Sequence, residues 1–388
     1  MLFDPQFRLS DLEKFNATYE NRKADAAEAK SPFLRNFREA SVNINVPSGS
    51  THDATQRSQT FTVSGLHYRQ ITTLIKETFE SPISKNFHFS PFKLFRKHPN
   101  SESSDRIYSE IYNSDVLLDE HDNVQRAPTG DPTCKREKVV AALMFWSDAT
   151  HLATFGTAKM WPIYLLFGNL SKYLRCQPNS GATRHLAYIP QLPDSLQDQL
   201  KSFHVKWETQ QKDILTHCRR ELVHAVWKFI LDEDFLHAYT YGMVVRSLDG
   251  IERRVYPRIL TYSADYPEKY VFSPYVSLCV VPLVPVLTAL FRVILATIRD
   301  KGLCPCPRCL IPKSKLDRVG HIADANAWIN QARRYQSVRG LVQRARNAIY
   351  DEGVPINGVR VQRLLKPTSA VPTLVSLELS AYSPMCFY

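Results

Sequence analysis

The sequence predicts an α/β fold in which helices flank a sheet with a buried central strand. Residues 139–146 (VVAALMFW) form a continuous apolar run of strand length, and such runs are typical of strands buried on both faces. Residues 208–236 have the apolar periodicity of a long helix. The stripe of that helix consists of Leu215, Leu222, Val226, Phe229 and Ile230. Strands and a helix in this arrangement predict a layered α/β domain.

Three further segments are predicted strands, and they give the order strand, strand, strand, helix, strand. Residues 162–170 (PIYLLFGNL) and 183–189 lie between the apolar run and the long helix. Residues 253–263 (RRVYPRILTYS) follow the helix and are rich in β-forming side chains. Pro257 weakens this last prediction, because proline donates no hydrogen bond to a strand ladder.

The N-terminal part of the chain is predicted to lie outside this sheet. Residues 21–59 are polar and poor in aromatic side chains, a composition typical of a disordered linker. Residues 67–79 carry one apolar stripe and predict a helix. We therefore expect residues 1–60 to be mostly disordered, residues 61–135 to form a separate N-terminal region, and the sheet to begin near residue 136.

Charge and cysteine content narrow the class of protein. The formal charge is +11 at pH 7, and such an excess favours a nucleic acid or an anionic surface as partner. The eight cysteines are scattered apart from one cluster, which fits reduced thiols in a cytosolic or nuclear protein better than a secreted disulfide framework. The first ten residues lack the basic stretch followed by an apolar stretch that is typical of a secretory signal.

One apolar segment has the length of a membrane span. No charged side chain occurs from Tyr270 to Phe291. Pro274, Pro282 and Pro285 interrupt the segment, and a lone membrane helix has no neighbours to satisfy the carbonyls that prolines leave free. A single span at residues 270–291 is therefore one hypothesis for this chain, with a membrane location as its consequence.

Two aspartates stand where predicted strands end. Asp148 follows the apolar run and Asp265 follows the strand at residues 253–263. Carboxylates at the ends of neighbouring strands can share divalent cations, and their hard oxygen atoms suit Mg²⁺. The alternative is that each aspartate caps a turn or a helix start.

The clustered cysteines are Cys304, Cys306 and Cys309. The two-residue gap between Cys306 and Cys309 is that of a zinc knuckle, in which both thiolates bind one tetrahedral ion. A second pair of ligands is required, and the nearby downstream candidate is His321. A redox-active pair is the alternative, but no thioredoxin-like unit surrounds it.

The remaining polar and aromatic candidates have ordinary structural interpretations. His151 and His185 are expected to be packed or surface histidines, and the five tryptophans are expected to lie in the core. Residues 322–350 have a helical pattern and carry several arginines. These arginines are Arg333, Arg334, Arg339, Arg344 and Arg346. They form either a solvated basic face or contacts to phosphates.

Six stretches are rich in aromatic residues and prolines, namely residues 145–155 (FWSDATHLATF), 161–171 (WPIYLLFGNLS), 187–192 (AYIPQL), 249–268 (DGIERRVYPRILTYSADYPE), 296–309 (ATIRDKGLCPCPRC) and 361–372. Together they resemble one family, the Plavaka-type transposases of fungal mobile elements, which are relatives of the CACTA group. They occur in the family's order over roughly residues 60–370.

The resemblance implies a ribonuclease-H-like mixed sheet and metal-dependent cleavage and transfer of DNA strands at transposon ends. Asp148 and Asp265 resemble the first two positions of the family's acidic triad and would hold Mg²⁺ or Mn²⁺. Cys306 and Cys309 resemble a cysteine pair that would hold structural Zn²⁺. The core would then comprise residues 136–269 and 293–320. DNA is the expected partner, and the nucleus is the expected location. A homo-oligomer is compatible with the resemblance, and no small-molecule substrate is expected.

The sequence departs from the family in ways that affect activity. Residues 270–292 interrupt a motif that is continuous in the family, and an unspliced intron explains this apolar insertion. Residues 321–388 comprise a basic helical segment and a tail, and the family resemblance ends near Thr373, before the tail from Leu374 to Tyr388. No position matches the third acidic residue, and the family's N-terminal zinc finger has no counterpart here.

These features lead to three hypotheses. The first is a truncated transposase remnant that is catalytically inactive in this form. The second is a DNA-binding or domesticated nuclear protein without enzymatic activity. The third is a protein anchored by the segment at residues 270–291.

Overall fold

A computed structural model describes most of the chain. The described residues are 36–51, 57–99, 102–147, 150–151, 159–177, 180–264, 298–299, 302–306, 309–318, 322–333 and 335–373. The chain divides into two units, residues 1–39 and residues 40–388. Asp148, Asp265, His321 and the segment 270–291 lie outside the described residues.

The elements are numbered in chain order. The strands are β1 (Arg38–Pro47), β2 (Ser58–Tyr68), β3 (Leu94–Lys97), β4 (Ser104–Ile107), β5 (Glu137–Ser147), β6 (Thr150–His151), β7 (Lys159–Met160), β8 (Pro162–Phe167), β9 (Arg184–Tyr188), β10 (Met243–Arg246) and β11 (Glu252–Ala264). The α-helices are α1 (Ile71–Glu80), α2 (Asp115–Arg126), α3 (Lys172–Arg175), α4 (Asp194–Phe203), α5 (Trp207–Ile230), α6 (Glu233–Tyr241), α7 (Ile322–Asn330), α8 (Tyr335–Tyr350) and α9 (Val359–Leu365). Short 3₁₀ helices occur at Pro82–Asn86, Ile111–Asn113, Lys313–Arg318 and Lys366–Thr368.

Seven strands form one mixed sheet in the order β1-β2-β9-β8-β5-β11-β10. Strand β5 pairs antiparallel with β8, and β8 pairs antiparallel with β9. Strand β11 pairs with β5 in parallel. A parallel partner cannot be reached by a hairpin, and the chain crosses to the far side of β5 through α4, α5 and α6. The predicted α/β class is confirmed.

Strand β5 is buried on both faces and separates two apolar clusters. Its residues alternate between them, as the pleat of a strand requires. The odd-numbered residues of Val139–Phe145 belong to the larger cluster, to which α5 contributes Trp227. Val140 and Ala142 belong to the smaller cluster, to which α2 contributes Leu117. Because both faces are covered, the strand has no polar alternation, which is why its sequence is a continuous apolar run.

The strands predicted over residues 139–146, 162–170, 183–189 and 253–263 correspond to β5, β8, β9 and β11. The single helix predicted over residues 208–236 is wrong, because the chain forms α5 and α6 with a break between them. Asp232 causes the break, since its carboxylate accepts a hydrogen bond from the Phe235 amide at 2.8 Å and caps the start of α6.

The predicted disordered N-terminal segment is wrong for residues 38–47, which form β1. Val42, Ile44 and Val46 are buried, whereas Asn43 and Asn45 between them are exposed. This two-residue alternation is the pattern of a half-buried strand. The strong polar content of the surrounding residues concealed it. Strands β1 and β2 belong to the same sheet as β5, so the boundaries expected near residues 60 and 135 do not separate sheets.

The C-terminal helices attach to α5 through buried polar side chains. Arg346 of α8 donates to both carboxylate oxygens of Glu221, at 2.6 and 3.3 Å. The Tyr350 hydroxyl lies 2.8 Å from the His217 ring and donates to the Asn45 carbonyl at 3.0 Å. These bonds join α8, α5 and β1 at one point. Removing one partner of this largely buried ion pair leaves the other charge poorly compensated and is expected to cost less than the about 3–5 kcal/mol of a fully buried pair.

The interpretation of the predicted basic helix changes accordingly. Arg346 is an internal ion-pair partner, and Arg333 is buried, so neither forms part of a phosphate-binding face. The pattern of residues 322–350 also divides into two helices, α7 and α8. Within the described ranges, no helix is long and apolar enough to cross a membrane.

Burial of His217 predicts a loss of stability in mild acid. Burial, followed by the neighbouring charges of Arg346 and Arg220, holds the pKa of His217 well below its ordinary value. In the unfolded chain His217 therefore takes up a proton near pH 6.5, whereas in the folded chain it stays neutral. The stabilisation of the fold by neutral His217 is complete above that pH. It is lost as the pH falls, by up to about 1.4 kcal/mol per pH unit. Urea unfolding at pH 7.5 and 5.5 measures this loss.

The variant His217→Gln keeps a polar partner for Tyr350 and cannot titrate, so its stability is expected to depend less on pH than that of the unmodified chain. His67→Gln is the control, because His67 is exposed. An unchanged pH dependence in His217→Gln would contradict the assignment.

Candidate functional site

The candidate site begins at the paired ends of β5 and β11. The two strands run in parallel and stay paired up to Ser147 and Ala264, which are Cα partners. Asp148 and Asp265 are the next residue in each strand's sequence, and both lie outside the described residues. The described backbone therefore brings the residues that precede the two aspartates side by side. The roles of the aspartates stay predictions.

A buried hydrogen bond links the two strand ends. The Tyr262 hydroxyl of β11 donates to the Ser147 hydroxyl of β5 at 2.8 Å. Ser147 is only 1% exposed. The Tyr262 ring packs against Phe145 and Trp227, with ring centroids 6.3 and 5.4 Å away. The last residues of the strands before each aspartate are thus held by packing from α5 and by a bond between the strands.

The opposite face of the same strand ends carries a row of rings. Trp146 of β5 stacks on Tyr164 of β8 at 5.1 Å, and Tyr164 contacts His185 of β9 at 4.8 Å. His185 in turn lies 2.9 Å from the Tyr188 hydroxyl. Burial, then the nearby charge of Arg69, lowers the pKa of His185, which fits a packed neutral histidine.

This row was missed in the sequence, where every tryptophan was expected in the core. The prediction is wrong for Trp146, which is 42% exposed. The missed signal is alternation, because Trp146 stands between the buried residues Phe145 and Ser147. The row places exposed aromatic surface next to the strand end that precedes Asp148. The side chain of His151, the other predicted packed histidine, lies outside the description.

The cysteine cluster forms a loop in which two thiols meet. A hydrogen bond with the Cys306 side chain, followed by burial, raises the pKa of the Cys309 thiol above its ordinary value. The Cys304 thiol has a different environment, since it donates to the Leu310 carbonyl at 3.1 Å. Cys306 and Cys309 are thus together, as their spacing predicts, whereas the Cys304 thiol is engaged by backbone.

Arg333 organises this loop from its centre. Its guanidinium donates to the carbonyls of Cys304 at 3.0 Å and Cys306 at 3.1 Å. It also donates to the carbonyls of Cys309 and Thr368. Arg333 is only 4% exposed. Its buried guanidinium therefore supplies the hydrogen bonds that these loop carbonyls cannot obtain from water. In the sequence this residue is indistinguishable from Arg339 and Arg344, which are exposed.

The loop is also fastened to the end of α9. Ser369 accepts a hydrogen bond from the Cys304 amide at 2.8 Å. A side chain at Gly302 would approach the Ser369 side chain to 2.5 Å, so glycine is required at this contact. Across the ranges that are described, no group of three or more histidine, cysteine or acidic side chains is arranged to hold a metal. The described loop supplies two zinc ligands at most.

Removal of the Tyr262 hydroxyl is predicted to loosen the strand ends. Tyr262→Phe should lower the free energy of unfolding by about 1 kcal/mol and raise hydrogen exchange at the amides of residues 145–147. Tyr256→Phe is the matched control, because the Tyr256 hydroxyl also donates one hydrogen bond, to the Pro128 carbonyl at 2.9 Å. A similar loss of stability without faster exchange at residues 145–147 is expected for the control. The same exchange pattern in both variants would contradict the role of Tyr262.

A family model described as Plavaka transposase matches residues 24–284, which is more than half of the chain. The match begins before the expected residue 60 and ends inside the apolar segment at residues 270–291. It includes the strands β1–β11 and both predicted aspartates. No curated protein and no solved structure matches the chain. The chain belongs to the Plavaka transposase family.

Proposed function

We propose that the paired ends of β5 and β11 are the metal-binding edge of a DNA transposase with a ribonuclease-H-like sheet. Membership of the Plavaka transposase family supports a role at transposon ends. Strands β5, β8 and β9 are followed by helices α4, α5 and α6 and then by β11, an order that agrees with the fold that the family implies. The nucleus is the proposed location and DNA the proposed partner.

The observation that carries the proposal is the parallel register of Ser147 and Ala264. Neighbouring strands lie about 4.8 Å apart, so residues that directly follow a paired position begin close together. Asp148 and Asp265 follow this position in the sequence. Two carboxylates that start from adjacent strand ends have the donor chemistry that suits Mg²⁺ or Mn²⁺. Such an ion, when bound, supplies an activated water and charge stabilisation for phosphodiester cleavage.

The chain's own side chains have distinct tasks in this arrangement. Asp148 and Asp265 would hold the ion, and the Tyr262–Ser147 bond would fix the strand ends from which they project. A carboxylate held on a buried strand is positioned more accurately than one on a loop. The insertion that begins at residue 270 lies five residues after Asp265 and would disturb the second ligand.

We further propose that this chain binds metal and DNA but cleaves DNA slowly. Two carboxylates are assigned, and a third acidic ligand is not. An ion held by two ligands positions the attacking water less well, and misplacement by about 1 Å costs on the order of 100-fold in rate. If the rate of cleavage falls to zero, the chain is a DNA-binding nuclear protein without enzymatic activity. The +11 charge supports its affinity for DNA.

The metal site predicts a specific response to amide substitutions. Asp148→Asn and Asp265→Asn should each weaken Mn²⁺ binding by at least about tenfold, since even the loss of a supporting partner costs that much. Titration calorimetry with the full chain measures the affinity. Asp119→Asn is the control, because Asp119 is an exposed carboxylate on α2 that the proposed site does not use. Unchanged Mn²⁺ affinity in both edge variants would overturn the site.

Activity is tested separately on duplex DNA that carries transposon ends. The unmodified chain is expected to give only slow Mg²⁺-dependent cleavage, with none in Asp148→Ala. Robust cleavage by the unmodified chain that disappears in Asp148→Ala would overturn the slow-cleavage proposal and support the metal site.

We also propose that Cys306 and Cys309 bind one structural Zn²⁺ with ligands from outside the described residues, among which His321 is the sequence candidate. Adjacent thiols fit two positions of a tetrahedral site. Zinc content after purification in excess zinc should be about one ion per chain and should be lost in the double variant Cys306→Ser/Cys309→Ser. Cys176→Ser is the control, because Cys176 is an exposed cysteine elsewhere. Stoichiometric zinc in the double variant would contradict the assignment.

A further inference from the structure

The β3–β4 hairpin is a two-stranded ribbon whose sequence interleaves aromatic and basic side chains. Phe95 is the Cα partner of Arg106, and Lys97 is the partner of Ser104, so these side chains share one face. This ribbon face consists of Lys93, Phe95, Lys97, Arg106 and Tyr108, because alternate residues of a strand point to the same side. Every residue of β3 is exposed.

Two exposed rings flank one arginine on the ribbon face. The Arg106 guanidinium lies 5.7 Å from the Phe95 ring centroid and 4.6 Å from that of Tyr108. Phe95 is 53% exposed and Tyr108 is 57% exposed. Both rings stay in contact with water and do not contribute to the core, although a cation lies beside them. Exposed rings of this kind are typical of a surface that binds a partner.

Arg106 and Tyr108 are held in place in the absence of a partner. Arg106 donates to the carbonyls of Ile107 and Asn113, at 2.7 and 2.6 Å. The Tyr108 hydroxyl donates to the Asp115 carboxylate at 2.6 Å, and Asp115 starts α2. Side chains fixed in this way lose little entropy on binding, which favours affinity.

The charge of the ribbon selects the class of partner. Lys93, Arg96 and Lys97 are exposed, and within the described part of the chain none of them forms an ion pair. Exposed rings among such cations are the combination that binds unpaired bases and their phosphates: the rings stack on bases, and the cations follow the backbone. A protein partner would instead favour a contiguous apolar patch with few lysines.

We propose that the ribbon face binds single-stranded DNA, with bases stacked on Phe95 and Tyr108 and phosphates at Lys93 and Lys97. The inference rests on the proposed function, which makes transposon DNA the substrate, and it adds the strand state of the DNA and the residues that hold it.

The ribbon face and the candidate metal site consist of different residues. Buried Asn169, after β8, donates to the His88 carbonyl at 3.2 Å and accepts from the Ala142 amide at 2.8 Å, so it ties the segment before the ribbon to the middle of β5. In this proposal the ribbon face therefore contributes affinity for DNA and supplies no catalytic group.

Fluorescence anisotropy with the full chain tests the proposal, using a labelled oligothymidylate of about 20 nucleotides, enough for a few aromatic stacking contacts, and a blunt duplex of equal length. Phe95→Ala and Tyr108→Ala should each weaken oligothymidylate binding about tenfold and change duplex binding by less than about twofold. Phe95→Leu keeps apolar area without a ring and should behave like Phe95→Ala, whereas Phe95→Trp should retain affinity. Equal losses for duplex and single strand, or full affinity in Phe95→Leu, would overturn the stacking proposal.

Two further measurements separate stacking from general electrostatics. The indole fluorescence that the Phe95→Trp variant adds to that of the unmodified chain should be quenched by oligothymidylate. Lys93→Glu/Lys97→Glu should reduce the salt dependence of binding, with Lys76→Glu as the control on α1, where Lys76 is exposed. Absence of quenching, or equal effects of the double variant and the control, would overturn the proposal.

The two proposals fail independently. Mn²⁺ binding by the Asp148 and Asp265 variants tests the metal edge and leaves the ribbon unchanged. If the ribbon variants bind oligothymidylate normally while Asp148→Asn loses Mn²⁺, the ribbon proposal is overturned and the metal site stands. Circular dichroism of each ribbon variant should match the unmodified chain, because the substituted side chains are exposed.

Discussion

The parallel pairing of β11 with β5 is the constraint on which the rest of this structure depends. A parallel neighbour forces the chain to cross the sheet, and the crossing helix α5 then covers one face of β5 with Trp227. Helix α2 covers the other face. With both faces buried, only the ends of β5 are open to polar chemistry. The register of the pair therefore decides which residues can meet at that edge.

Polar bonds and apolar contacts together attach the peripheral parts to this framework. The Glu221–Arg346 pair and the His217–Tyr350 contact join α8 to α5, and Arg333 holds the cysteine loop through backbone carbonyls. Such bonds are directional, so they specify one arrangement, although their net contribution to stability is smaller than their number suggests. The difference in acid sensitivity between the unmodified chain and His217→Gln reports on one of these bonds, the contact between His217 and Tyr350.

The sequence predicted the elements whose pattern is strong and local. The apolar run of β5 is visible because both of its faces are buried, and the strand at Glu252–Ala264 was recognised despite Pro257. Strand β1 was missed because its short alternation lies within a polar stretch, and the helix break was missed because Asp232 acts through one capping bond. The internal role of Arg333 depends on contacts from distant segments, which periodicity does not encode. The aspartates were chosen by their position after strands, and the structure describes the strands only up to the residue before each.

The ribbon face and the sheet edge consist of different residues, and this explains how the two function hypotheses are related. A transposase and a DNA-binding protein without activity would share the ribbon, the fold and the charge, and they would differ only at the ends of β5 and β11. Affinity that resides in the side chains of the ribbon face does not depend on a complete set of acidic ligands at the sheet edge. Loss of a ligand at the edge would remove cleavage and leave DNA binding, because no described contact of the ribbon passes through Ser147 or Tyr262. A chain of this design can therefore change from an enzyme to a binding protein without any change in its fold.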